Sequence, residues 1–194
     1  MLPCDPNDVR ARILSEATRL FGRKGYSATS VREVVAAAGV TKPTLYYYFA
    51  NKEALFSEAI GAQLDGLRML IEHALTTPGP APERLRDFID VYVRGGIDNP
   101  ESVRLMMTAT APTDTSQPKV LATERFWAEL QRLAGLFEQG VDQGLFRADL
   151  DIETAIMMLV GAADVALMVG LSGLPVPDEF ADRILATLLE GCRP

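Results

Sequence analysis

The sequence predicts an all-α protein of about nine helices, and three observations predict it. Apolar residues recur at three- and four-residue spacing from Ile13 to Leu189, with no alternating run of useful strand length. Helix punctuation recurs along the chain: Ser30, Thr41, Asn51 and Asp151 stand where starts are expected, and Gly25, Gly39 and Gly144 where stops are. With 194 residues, 48% apolar and 23% charged, the chain has the make-up of an ordinary globular protein with one large domain or two small ones.

The first helix opens at Asp5, with Pro6 at its first position and acids on the positive end of its dipole. Ile13, Leu14, Ala17, Leu20 and Phe21 form its buried stripe. Arg10, Arg12, Arg19, Arg23 and Lys24 lie mostly off it, and Gly25 ends it.

Residues 30–52 read as two short helices joined by a tight turn. Ser30 and Glu33 have the three-residue spacing of a capping box. Val31, Val34, Val35 and Ala38 then make one apolar face. Gly39 follows at the position where a left-handed residue closes a helix. Thr41 caps the second short helix and Pro43 lies in its first turn. Leu45 and Phe49 face inward, leaving Lys42, Thr44, Tyr47 and Tyr48 outside. A short helix that shows Lys, Thr and Tyr suits a DNA major groove; the plain alternative is a helical hairpin in an all-α core.

Asn51 caps a long helix over about residues 52–75 that carries Ala54, Leu55, Ala59, Leu64 and Leu67. Thr76 to Pro82, with three prolines and a glycine, is a connector. Later helices are expected over 83–97, 100–109, 119–143 and 151–171, with a last one capped by Asp178. Residues 111–118 read as a polar loop. The stretch Ile152 to Val176 is the most apolar; Glu153 and Asp164 leave its longest uncharged run short of the roughly 20 residues that a membrane span requires. No membrane segment or signal peptide is expected.

The string Gly-Val-Thr-Lys-Pro-Thr-Leu-Tyr-Tyr-Tyr-Phe, followed by Asn-Lys-Glu-Ala-Leu, resembles the DNA-binding segment of TetR-family repressors. The resemblance covers roughly Ile13 to Ala59, through Ile13-Leu14, Ala17, Leu20-Phe21, Gly25-Tyr26 and Thr29-Ser30-Val31. Beyond residue 60 only the architecture matches. The resemblance implies a DNA-binding domain over 1–51 with three helices, and an effector-binding and dimerisation domain over 52–194, connected by the helix over 52–75. It implies that Tyr26 packs under the following helix. It also implies DNA-contacting roles for Ser30, Arg32, Lys42, Pro43, Thr44, Tyr46, Tyr47, Tyr48 and Lys52. Arg32, Lys42 and Thr44 stand at base- or phosphate-contacting positions, Pro43 at one that touches a thymine methyl or simply starts the helix, and Tyr46 at one that meets DNA with its ring or packs in the head; Ser30, Tyr47, Tyr48 and Lys52 stand at phosphate-contacting positions. Tyr48 replaces a frequent histidine and Pro43 a frequent glycine, so base specificity does not transfer.

Charge is divided along the chain. Residues 1–60 hold eight lysines and arginines against six acids, and residues 61–194 hold eleven against twenty. A basic head on an acidic body places phosphate attraction at one end. Cys4 and Cys192 make neither a disulfide framework nor a metal-ligand set, so free thiols in a reducing cytoplasm are expected. The single histidine, His73, has no nucleophile partner in its sequence context, and no phosphate loop or nucleophile elbow occurs. Enzyme chemistry, metals and cofactors are therefore not expected.

Met106, Met107, Met157, Met158 and Met168 concentrate in the body with Phe126, Trp127 and Phe137. Flexible thioethers and aromatics suit either core packing or an adaptable pocket. The candidate pocket residues are Arg104, Met106, Met107, Trp127, Met158 and Asp164. The helix over 151–171 is apolar almost all round, which predicts pairing of the last two helices with those of a second copy, Leu167 included. The expectation is a homodimeric regulator of operator DNA, released by an unidentified small hydrophobic effector. The alternatives are a DNA-binding regulator controlled by a protein partner, and an all-α enzyme or lipid carrier.

Overall fold

The computed structural model describes residues 8–110, 116–118 and 122–192, with the side chains of 190–192 left aside. Its described residues form ten helices and no strand. They are α1 (Val9–Ala28), α2 (Val31–Ala37), α3 (Lys42–Tyr48), α4 (Lys52–Thr76), α5 (Ala81–Asp98), α6 (Pro100–Thr110), α7 (Ala122–Gln131), α8 (Ala134–Asp142), α9 (Ile152–Leu171) and α10 (Phe180–Cys192).

The count exceeds nine because the helix expected over 119–143 is broken. Leu133, Gly135 and Leu136 each donate to the carbonyl three residues back, to Leu130, Arg132 and Leu133. That tightened turn separates α7 from α8. Apolar spacing continues through the break, so the pattern carries no stop signal. The caps expected at Asp5 and Asp178 also differ. Asp5 and Cys4 lie outside the described residues, and Asp8 caps α1 by accepting the Ala11 N–H at 3.0 Å. The α10 helix starts two residues after Asp178, whose carboxylate accepts from Arg94 Nη2 at 3.4 Å. Most of the loop expected over 111–118 and the start of the 119–143 helix also fall outside the described residues.

The chain forms two compact units, residues 1–66 with 99–126, and 67–98 with 127–194. Three-dimensional compactness thus does not follow a single linear cut, because α6 returns to lie along α1. The approach is close: a Cβ on Gly22 would fall 2.1 Å from the Glu101 carbonyl oxygen. Only glycine admits the α6 backbone there. The core of this unit joins Ile13, Ala17 and Phe21 of α1 to Val34, Leu45, Phe49, Phe56, Ile60 and Leu105, all buried. Tyr26 packs against Phe56 of α4, 5.0 Å centroid to centroid, and stacks on Phe21 of its own helix.

In the other unit α5 is central and lies against α8, α9 and α10. Leu85, Phe88, Ile89 and Val93 form its buried stripe. Arg84 is buried too: Nη1 donates to the carbonyls of Ala74, Leu75 and Thr77, and Nη2 to Gln139 Oε1. It thereby closes the end of α4, whose last carbonyls have no partner within the helix. A cavity of about 500 Å³ opens beside it, lined by His73, Phe88, Arg86 and Arg94 among others.

The α9 helix is long and apolar enough to cross a membrane, contrary to the reading from its uncharged runs. Leu159, Val160, Ala163 and Leu167 bury one face within the protein, and the Asp164 carboxylate at mid-helix accepts the Tyr92 O–H at 2.8 Å. An internal hydrogen bond at that position marks a face that packs on protein.

Candidate nucleic-acid interface

Short-range signals build the interface. Ser30 caps α2: its Oγ accepts the Glu33 N–H at 3.2 Å, and Glu33 Oε2 accepts the Ser30 N–H at 2.9 Å. The α2 helix ends at Ala38, whose carbonyl accepts Arg12 Nε at 2.9 Å. Gly39 follows at φ 61° and turns the chain into α3. Thr41 Oγ1 accepts the Thr44 N–H at 3.3 Å, and Pro43 occupies the first turn, where a missing N–H costs nothing. Leu45 and Phe49, both fully buried, fix α3 to the core.

What remains outward on α3 is the set expected from the pattern. Lys42, Pro43 and Tyr46 are exposed, Thr44 is half-buried, and Tyr47 is 82% exposed. Tyr47 and Tyr48 stand edge to face at 5.0 Å, which orients both rings. Ser30 and Arg32 are exposed on the first turn of α2. At the start of α4, Asn51 Oδ1 accepts the Ala54 N–H at 2.8 Å, and Lys52 Nζ lies 4.1 Å from the Tyr26 ring centre. The structure thus gathers all nine expected residues on the two short helices and their flanks.

Electrostatics sharpen the α2 end. Glu33 is held down to about 2, first by its hydrogen bond from Lys24 and then by those from Ser30, so it is an anion throughout the neutral range.

The profile of the family described as "Bacterial regulatory proteins, tetR family" matches residues 13–59. The HTH-type transcriptional repressor KstR2 of Rhodococcus jostii is 29% identical, across 94% of this chain and 90% of its own length. Residues 13–59 are a TetR-family DNA-binding segment. Solved structures of other regulators share the fold over nearly the whole chain. KstR2 of Mycobacterium tuberculosis, described as a ketosteroid transcriptional regulator, has a TM-score of 0.73 at 23% identity over 97% of this chain and 96% of its own. FadR of Bacillus subtilis, solved in complex with stearoyl-CoA, has a TM-score of 0.73 at 20% identity over 94% and 99%.

In this regulator the candidate pocket residues fall into both units. Arg104 and Met107 are exposed on α6, and Met106 packs against the core that holds α1 and α6 together. Trp127 is 44% exposed at the unit boundary in sequence, and Met158 is exposed on α9, where it lines a shallow groove with Val165, Phe180 and Ile184. Asp164 is bound to Tyr92; burial raises its carboxyl above the usual range, and the Tyr92 hydrogen bond opposes that. The cavity beside Arg84 has none of these six residues in its lining.

Two interface supports escaped the sequence reading. Thr29 is 1% exposed, and its single hydroxyl proton is shared between the Gly25 carbonyl at 2.8 Å and the Leu20 carbonyl at 3.2 Å. Its neighbour Ser30 carries an obvious cap signal that draws attention away. Arg12 supports the end of α2 from 26 residues away, a separation that no local pattern encodes.

Proposed function

We propose that the regulator is a homodimeric repressor that reads operator DNA with α3 and leaves it when a hydrophobic small molecule binds its body. The observation that carries the DNA reading is the outward set Lys42, Tyr46 and Tyr47 on a helix locked from below by Leu45 and Phe49. Two heads would enter successive major grooves about 34–36 Å apart. In functional terms residues 1–51 would carry DNA binding, and residues 52–194 effector binding and dimerisation. The family places its work on DNA, so no enzyme activity is assigned and a cytoplasmic location follows.

Dimerisation rests on α9, which leaves Met157, Met158, Val165 and Met168 exposed in one chain. A repeated apolar face of that kind is self-complementary across a two-fold axis. For the effector, stearoyl-CoA on one structural relative and the ketosteroid description of another support a large, mainly apolar molecule. The effector shifts DNA affinity only as far as it binds the free and DNA-bound forms unequally.

Selection of bound duplexes from a random pool tests the first claim: enrichment of a two-fold symmetric site is expected, and recovery of no common sequence refutes it. Long-chain acyl-CoA and a keto-steroid are then titrated onto that complex. Release of DNA together with a change in emission of Trp127, the sole tryptophan, is expected. If neither compound nor a wider apolar set couples the two signals, control by a protein partner becomes the better reading.

A further inference from the structure

We infer that Lys24 is a phosphate-contacting residue of the DNA-binding surface, held in place by Glu33, and that it takes the role expected of the Ser30 hydroxyl. The inference deepens the DNA-binding reading and rests on it.

A serine hydroxyl carries one hydrogen. That of Ser30 is directed at Glu33 Oε2, 2.8 Å away, while its lone pair accepts the Glu33 N–H. The Ser30 backbone N–H is also given to Glu33 Oε2. With the cap intact, Ser30 has no hydrogen left for a phosphate oxygen. An ammonium carries three. Lys24 Nζ gives one to Glu33 Oε1 at 2.5 Å, and its side chain is 46% exposed.

The same carboxylate therefore joins Lys24 to Ser30, one group bound to each oxygen. Lys24, at the far end of α1, is brought to the first turn of α2. In a helix-turn-helix the first helix of the motif crosses the DNA backbone. A lysine at the start of that helix, with ammonium protons to spare, meets phosphate there. Holding it costs little on phosphate approach, because an exposed ion pair is weak and exchangeable, whereas neutralising a phosphate releases counterions. Glu33 also keeps the ammonium local, which limits indiscriminate attraction to any duplex.

The test is the salt dependence of binding to the duplex recovered by selection, measured for wild type, Lys24→Gln, Glu33→Gln and Ser30→Gly. Each phosphate contact contributes about 0.9 to the slope of log K against log salt concentration. Lys24→Gln is expected to flatten the slope by about that amount and to weaken binding roughly five- to tenfold at 0.1 M salt. Ser30→Gly, which keeps an acceptable N-cap, is expected to retain the wild-type slope. Glu33→Gln preserves the capping-box pairing while freeing the ammonium, so it should bind random duplex more tightly than wild type does. Partial unfolding lowers the active fraction and leaves the slope of the remainder unchanged, which separates a contact from a structural effect. A wild-type slope in Lys24→Gln overturns the contact, and an affinity at 0.1 M salt that falls in Ser30→Gly but not in Lys24→Gln returns the phosphate to the serine. Failure of wild type itself to retain duplex overturns the DNA-binding reading instead.

Discussion

Residues whose partners are three or four positions away were legible before any coordinates. Ser30 with Glu33, Thr41 with Thr44 and Asn51 with Ala54 all form the bonds that their spacing announces. Residues with distant partners were not. Tyr92 and Asp164 are separated by 72 positions, and nothing near either one signals the other. Their hydrogen bond carries a prediction. Burial raises the Asp164 carboxyl above its unfolded value, so the folded state is penalised as pH rises past that unfolded value. Asp164→Asn keeps an acceptor for the Tyr92 hydroxyl and removes the buried charge. It should match or exceed wild-type thermal stability at pH 7 and lose that advantage near pH 3; a large loss at pH 7 contradicts the account. On the DNA face, Lys42→Ala and Tyr47→Ala should each weaken operator binding by about 1–3 kcal/mol with melting temperature unchanged, since both side chains are exposed. Gel shift and calorimetry on the same preparations check both halves.

Elements were legible where capping signals and apolar stripes agree. The α2–turn–α3 unit has both, and its bounds fall where the pattern puts them. The division of α7 from α8 has neither, because a turn tightened by i–3 hydrogen bonds preserves apolar spacing. The α2 cap makes an acid-dependent element. Glu33 lies near 2 when folded against an ordinary 4.5, so its contribution is complete above 4.5 and disappears as pH falls toward 2. Amide exchange at Glu33 and Val34 should accelerate across that window and be insensitive to pH changes above it, once intrinsic exchange rates are divided out. The α1–α6 seat gives a second element-scale prediction. Gly22→Ala drives a methyl group into the Glu101 backbone, so the unit should lose about 1–3 kcal/mol, the range for overpacking. A melting temperature equal to wild type would show that α6 shifts freely.

For the molecule as a whole, the all-α class and the composition split between head and body were visible in the sequence, while the two-unit partition was not. The return of α6 to α1 depends on a bare backbone at Gly22, and one glycine among fifteen announces nothing by itself. The expected pairing surface was also misplaced in detail. Leu167 is 5% exposed and belongs to its own chain's core, whereas Val165 is 64% exposed on the opposite side of α9. Helical spacing in an all-apolar segment cannot separate the two faces. Val165→Glu should therefore convert a dimer to monomers at micromolar concentration in light scattering with helicity retained; Leu167→Glu should unfold the body. A dimeric Val165→Glu variant would move the interface off α9.

With α3 as the proposed reading helix, its shortness limits how much sequence information the regulator can extract. Seven residues span roughly 10 Å, which is about three base pairs at 3.4 Å each. Reading three pairs in each of two half-sites specifies a pattern that recurs by chance about once in 4,000 positions, far too often to single out a promoter in a genome of millions of sites. The remaining discrimination is expected from Arg32 on α2, from the fixed distance between half-sites and from the cost of deforming the DNA between them. Operator variants that keep every contacted base but add one base pair at the centre should therefore be rejected more strongly than many single-base changes within a half-site.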